Sequence, residues 1–155
     1  MAQWTHLQKA KEKNDKILLV EDNSCLREIV YQILTPDYRI TEAESGEEAL
    51  EALQSKDFDL VITDLNMGEV TGIEVLKKAK ELNPETMVMI MAANHDVIYY
   101  DEALGLDACG YLLKPFKLND LLERVSQCLR KRESTAGTGK SIMHKSGSKD
   151  DMLNV

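Results

Sequence analysis

From Lys16 onward, short apolar runs alternate with segments whose apolar residues recur at helical spacing. Ile17-Leu18-Leu19-Val20 is a continuous run of the kind expected of a strand buried on both faces. Leu26, Ile29, Val30, Ile33 and Leu34 then follow the 3.6-residue period, and the pattern stops at Thr35-Pro36. Residues 38–43 form a short, more polar strand that suits a sheet edge. Ser45 with Glu48 makes a capping box ahead of a helix carrying Ala49, Leu50, Ala52 and Leu53. Leu60-Val61-Ile62-Thr63 gives a third strand. Ile73, Leu76, Ala79 and Leu82 give a third helix, closed by Asn83-Pro84. Residues 86–91 and 109–113 read as the fourth and fifth strands. Leu118, Leu121, Leu122, Val125, Cys128 and Leu129 give the clearest amphipathic helix.

Buried strands alternating with helices over this span predict an α/β fold: a doubly wound, five-stranded parallel sheet with helices on both faces. In such folds, chemistry sits beyond the carboxyl ends of the strands, near the switch in strand order. The organisation expected is a leader over 1–15, one folded domain over 16–132, and a polar tail over 133–155 that reads as disordered. Trp4 in the leader has no role that the sequence decides. Gly139-Lys140-Ser141 resembles the end of a phosphate-binding loop, but Ser134 stands where that motif requires Gly, and no strand precedes it.

Charge narrows the function. The chain carries a net −8, with mildly basic ends around a strongly acidic middle, which argues against direct nucleic-acid binding. Cys25, Cys109 and Cys128 are far apart and odd in number, which fits a reduced, cytoplasmic protein better than a disulfide scaffold or a zinc site. No apolar run is long enough for a signal peptide or membrane insertion.

The first strand ends in Glu21-Asp22, the third in Asp64 followed by Leu65-Asn66-Met67-Gly68, and the fifth in Lys114-Pro115. Adjacent first and third strands bring three carboxylates together. Their mutual repulsion calls for a cation, and an all-oxygen set points to Mg²⁺ or Mn²⁺.

These three motifs, in this order on these elements, closely resemble a response-regulator receiver domain over about residues 15–131. The resemblance implies a flavodoxin-like (βα)5 fold with strand order 2-1-3-4-5. It implies a single-domain phosphoacceptor of a two-component phosphorelay, not an enzyme beyond self-phosphorylation and autodephosphorylation. Asp64 would take a phosphoryl group from a sensor histidine kinase or a histidine phosphotransfer protein. Glu21, Asp22 and Asp64 would hold the metal together with the backbone carbonyl of Asn66, and Lys114 would contact the phosphoryl oxygens. The Lys114-Pro115 peptide would be cis. Val97, Ile98, Tyr99 and Tyr100 would lie on the partner surface, and the 23 residues after 132 are too few and too polar for an effector domain. Output would then pass through a downstream protein.

The chain departs from the family pattern at two places. Ala92 stands where the family carries a Thr or Ser hydroxyl that follows the phosphoryl group. A hydrogen bond to a charged group contributes roughly 1.5–3 kcal/mol, so this loss predicts a weakened switch and little change around Val97–Tyr100. Tyr111 matches the aromatic that moves with that hydroxyl; without its trigger it reads equally well as a packed ring with its hydroxyl in water. Gly68 replaces a proline common after the Met and predicts a looser loop. Ala92 also supports an alternative, a pseudo-receiver that signals without phosphorylation. A dehalogenase-like phosphatase requires a D-x-D-x-T motif after its first strand, and a flavodoxin-type flavin site requires a hydroxyl-rich loop where Glu21-Asp22-Asn23 stands; neither pattern is present.

Overall fold

The computed structural model describes residues 15–138. The leader with Trp4 and the Gly139-Lys140-Ser141 segment lie outside the described residues. The chain alternates β1 (Lys16–Val20), α1 (Ser24–Leu34), β2 (Arg39–Ala43), α2 (Gly46–Ser55), β3 (Leu60–Asp64), α3 (Gly72–Leu82) and β4 (Met87–Ala93). A 3-10 turn over Asn94–Tyr99 leads into α4 (Tyr100–Gly105), followed by β5 (Gly110–Lys114) and α5 (Leu118–Thr138). All strand pairs are parallel, in the order β2-β1-β3-β4-β5. The polar strand β2 is indeed an edge strand.

Strand side chains alternate between two cores, as the pleat requires. Leu18, Val20, Val61, Val88, Ile90, Ala92, Tyr111 and Leu113 pack against α2, α3 and α4. Ile17, Leu19, Leu60, Ile62, Met89, Met91 and Leu112 pack against Val30 and Leu34 of α1 and Leu121, Val125, Cys128 and Leu129 of α5. Asn23 caps α1 by accepting from the Leu26 amide at 3.0 Å. Ser45 caps α2, while the Glu48 carboxylate reaches back to the Glu44 amide, one residue earlier than a reciprocal capping box. The full box instead opens α3, where the Thr71 hydroxyl accepts from the Glu74 amide and the Glu74 carboxylate accepts from the Thr71 amide.

Three sequence expectations need revision. Helix α5 continues past residue 132 to Thr138, because extending a helix already anchored by packing costs far less than starting one. Cys109 and Cys128 are not free thiols. They form a disulfide between the start of β5 and α5, with Cα atoms 5.6 Å apart, a pairing that their spacing alone could not reveal. Cys25 is free and exposed. Gly68 sits at φ +102°, a backbone closed to proline and strained for any other L residue, so glycine defines this turn. No described helix is long and apolar enough to cross a membrane.

The α3 box should be measurable. Thr71→Ala removes the side-chain acceptor and should cost about 0.5–2 kcal/mol in urea unfolding, with an unchanged slope.

Candidate functional site

The register decides what meets at the carboxyl rim of the sheet. Val20 of β1 lies opposite Thr63 of β3, so the next residues, Glu21 and Asp64, come side by side at the switch point. Carboxylate oxygens of Glu21, Asp22 and Asp64 lie within 4.8 Å of one another. Glu21 is 1% exposed and Asp64 7%, whereas Asp22 is open to solvent. Lys114, at the end of β5, reaches over β4 and places Nζ 2.9 Å from Asp64 Oδ1 and 3.0 Å from Glu21 Oε1. The Lys114-Pro115 peptide is cis.

Local structure holds each acid in place. Glu21 Oε2 accepts from the Asn23 amide at 3.1 Å, and the Glu21 carbonyl accepts from Arg27 Nη1 at 2.7 Å. The Thr63 hydroxyl donates to the Asp64 carbonyl at 2.9 Å. Behind Asp64, Gly72 lets the start of α3 close against the strand end, with its amide bonded to the Leu65 carbonyl at 2.8 Å. A Cβ at Gly72 would strike the Asp64 carbonyl oxygen and sit 2.9 Å from Leu65 Cα.

The electrostatics follow from burial. Desolvation pushes the Asp64 carboxyl above its ordinary range, with Lys114 pulling against it. Glu21 is raised too, by burial first and then by the charge of Asp64. At Lys114, burial favours the neutral amine, but its bonds to Asp64 and Glu21 outweigh this and hold it above its usual value. Three acids against one lysine leave an excess of negative charge among oxygen donors only. That set fits Mg²⁺, which Glu21, Asp22 and Asp64 would hold.

The other residues singled out in the sequence divide. Ala92 is buried beside Tyr111 in the core under α2–α4. The Tyr111 hydroxyl is not in water: it donates to the Asp96 carbonyl at 2.7 Å, and burial and the Asp96 charge push its pKa up to about 12. Ile98 is 78% exposed and Tyr99 38%, while Tyr100 is buried edge-on against Tyr111 at 5.5 Å. The Val97 side chain is not among those described. Sequence reasoning missed Asp96, which is buried and accepts from Asn66 Nδ2 at 2.7 Å. An acid within a polar stretch after a strand gives no signal of burial.

Comparison with known proteins agrees with this geometry. The family model described as "Response regulator receiver domain" matches residues 17–126. The chain belongs to that family. The receiver is 40% identical over 114 residues to the transcriptional regulatory protein ZraR of Klebsiella oxytoca, covering 73% of this chain and 26% of that protein. It is 36% identical over 124 residues to histidine kinase P4 of Formosa agariphila, covering 79% of this chain and 9% of that one. The receiver thus spans about a quarter or less of these relatives. Among solved structures it resembles a response regulator receiver domain protein from Clostridium thermocellum, with a TM-score of 0.74, 26% identity, and coverage of 78% of this chain and 98% of that one. It also resembles the chemotaxis response regulator CheY4 of Vibrio cholerae, with a TM-score of 0.68, 30% identity, and coverage of 74% and 98%.

Metal-free stability should carry the signature of the raised carboxyls. Asp64 and Glu21 bind protons more readily folded than unfolded, so their contribution is full below the unfolded carboxylate pKa of about 4 and is lost as pH rises through the folded values. With chelator present at pH 7, Asp64→Asn should therefore melt higher than wild type by a few degrees, the scale that roughly 1 kcal/mol sets for a chain of this size. The gap should close toward pH 4. A variant that melts lower at pH 7 would contradict this reading.

Proposed function

We propose that this receiver accepts a phosphoryl group on Asp64 from a phosphohistidine of a sensor kinase or histidine phosphotransfer protein, and that it signals through a protein partner. The observation that carries the reading is Lys114 Nζ held between Asp64 and Glu21, with Asp22 alongside. A carboxylate oxygen of Asp64 attacks phosphorus, the bond from phosphorus to the donor imidazole nitrogen breaks, and the nitrogen keeps the electron pair. The product is an acyl phosphate on Asp64.

An anionic nucleophile and an anionic phosphoryl group repel, so the site must supply positive charge where the group arrives. Lys114 is the chain's own contribution: charged well beyond neutral pH, and placed to leave Asp64 Oδ1 for a phosphoryl oxygen. Glu21, Asp22 and Asp64 would hold a divalent cation, which would supply further charge neutralisation there. Burial of Asp64 limits solvent around the acyl phosphate. Turnover is limited to self-phosphorylation by small donors and to hydrolysis of the acyl phosphate. The match to part of a histidine kinase supports a kinase as donor. The same reading implies a cytoplasmic protein, which rests on the family and not on the cysteines, since Cys109 and Cys128 are paired.

A second reading rests on Ala92: without the hydroxyl, the domain would be a pseudo-receiver that binds its partner irrespective of Asp64. Intact mass separates the two. Incubation with acetyl phosphate and Mg²⁺ should add one phosphoryl group to wild type and none to Asp64→Asn, and chelator should block the addition. An unlabelled wild type favours the pseudo-receiver, whereas labelling of Asp64→Asn refutes the assignment of the site.

Metal binding without phosphate should also show in melting curves. Millimolar Mg²⁺ should raise the wild-type Tm by mass action, and Asp22→Ala should respond much less.

A further inference from the structure

We propose that Asp96 is a positioning residue that carries the state of Asp64 to the exposed turn after β4, in place of the hydroxyl missing at Ala92. This rests on the phosphoacceptor reading. Asp96 is 7% exposed, inside the turn that joins β4 to α4. Its two ends are engaged in two directions. Its carboxylate Oδ2 accepts from Asn66 Nδ2 at 2.7 Å, and its carbonyl accepts from the Tyr111 hydroxyl, also at 2.7 Å.

Asn66 stands two residues after Asp64, in the loop that leaves the end of β3. Whatever displaces that loop pulls on the Asn66 amide. The bond is short, partly buried and made to a charged acceptor, which is the strong kind. The carboxylate it holds belongs to a two-turn 3-10 segment, Asn94–Tyr99, that also carries the exposed Ile98 and Tyr99. On its other side, the Asp96 carbonyl holds Tyr111, whose ring meets Tyr100 edge-on at 79°. A displacement at Asn66 therefore moves the backbone that presents Ile98 and Tyr99, and it loosens or tightens Tyr111 in the same event.

The hydroxyl route and this route have different requirements. A hydroxyl must reach the phosphoryl oxygens from the end of β4, and Ala92 has none. The Asn66–Asp96 bond spans the same two loops directly, from the β3 side. Gly68, at φ +102°, lies in the middle of the Asn66 loop with open space where a Cβ would point, so the loop can shift there without a side chain to relocate.

The test uses the full chain with amide and tyrosine-ring NMR signals, with and without Mg²⁺ and beryllofluoride, alongside intact mass after acetyl phosphate. In wild type, signals from Asp96, Ile98, Tyr99 and Tyr111 should shift on adding the phosphoryl mimic. In Asp96→Ala, phosphoryl uptake should persist while the shifts at Ile98, Tyr99 and Tyr111 fall about tenfold or more, the population change that a hydrogen bond to a charged group sets. Tyr111→Phe keeps the buried ring and loses only the second link. It should leave the shifts at Asp96, Ile98 and Tyr99 as in wild type and remove only the one at residue 111, whereas Asp96→Asn, which exchanges the charge-assisted bond for a neutral one, should reduce the shifts at Ile98, Tyr99 and Tyr111 together and so decides the matter even if Asp96→Ala folds poorly. Wild-type shifts at Ile98 and Tyr99 in Asp96→Ala or Asp96→Asn overturn the proposal. So does a wild type that takes up phosphate while Tyr111 stays still. A wild type that takes up none overturns the phosphoacceptor reading itself, and with it this relay.

Discussion

Negative charge crowded at the end of a parallel sheet is the constraint around which this fold is arranged. Strand register forces Glu21 beside Asp64, and burial denies them the water that would screen their repulsion. A single lysine shared between them, an amide from Asn23 and the guanidinium of Arg27 on the Glu21 carbonyl compensate in part. Gly72 matters for the same reason: without it, α3 could not approach closely enough to hold the Asp64 strand end. What remains is an excess of negative charge that a divalent cation would relieve. The site is thus built slightly unstable on its own, which makes its occupancy consequential for the loops around it.

The loss of a hydroxyl at Ala92 looks, in one dimension, like the loss of a switch. In three dimensions the turn after β4 is still linked to the loop that follows Asp64, through the side chains of Asn66 and Asp96. Tyr111 is inward, with its hydroxyl bonded to protein backbone. The ring therefore has a defined partner whose position depends on Asp96, itself held by Asn66.

Most of the architecture could be read from the chain because its signals are local. Continuous runs such as Ile17–Val20 and periodic sets such as Leu121, Val125, Cys128 and Leu129 report burial directly. Asp22, Asp64 and Lys114 could be placed because strand ends in this topology converge on one rim. Features that depend on who faces whom were not legible. The Cys109–Cys128 bond needs β5 to lie under α5; the buried acid at Asp96 needs two loops to fold toward each other; the sign of φ at Gly68 is a property of the closed turn. The Thr71–Glu74 box went unread although its spacing matches that of Ser45 and Glu48, because the run from Gly68 to Gly72 reads first as a loop.

The sheet also acts as a partition. The core beneath α2, α3 and α4 and the core beneath α1 and α5 share no side chain, because alternate strand residues belong to opposite sides. Asn66, Asp96, Tyr100 and Tyr111 connect on the first side, while the disulfide and the long α5 helix stiffen the second. Substitutions separated by the sheet have few shared neighbours and so act nearly independently. Sequence drift under α1 and α5 can then tune how firmly the scaffold holds together, while drift around Tyr111 tunes what the surface presents. A lineage could retarget its partner on one side of the sheet without renegotiating stability on the other.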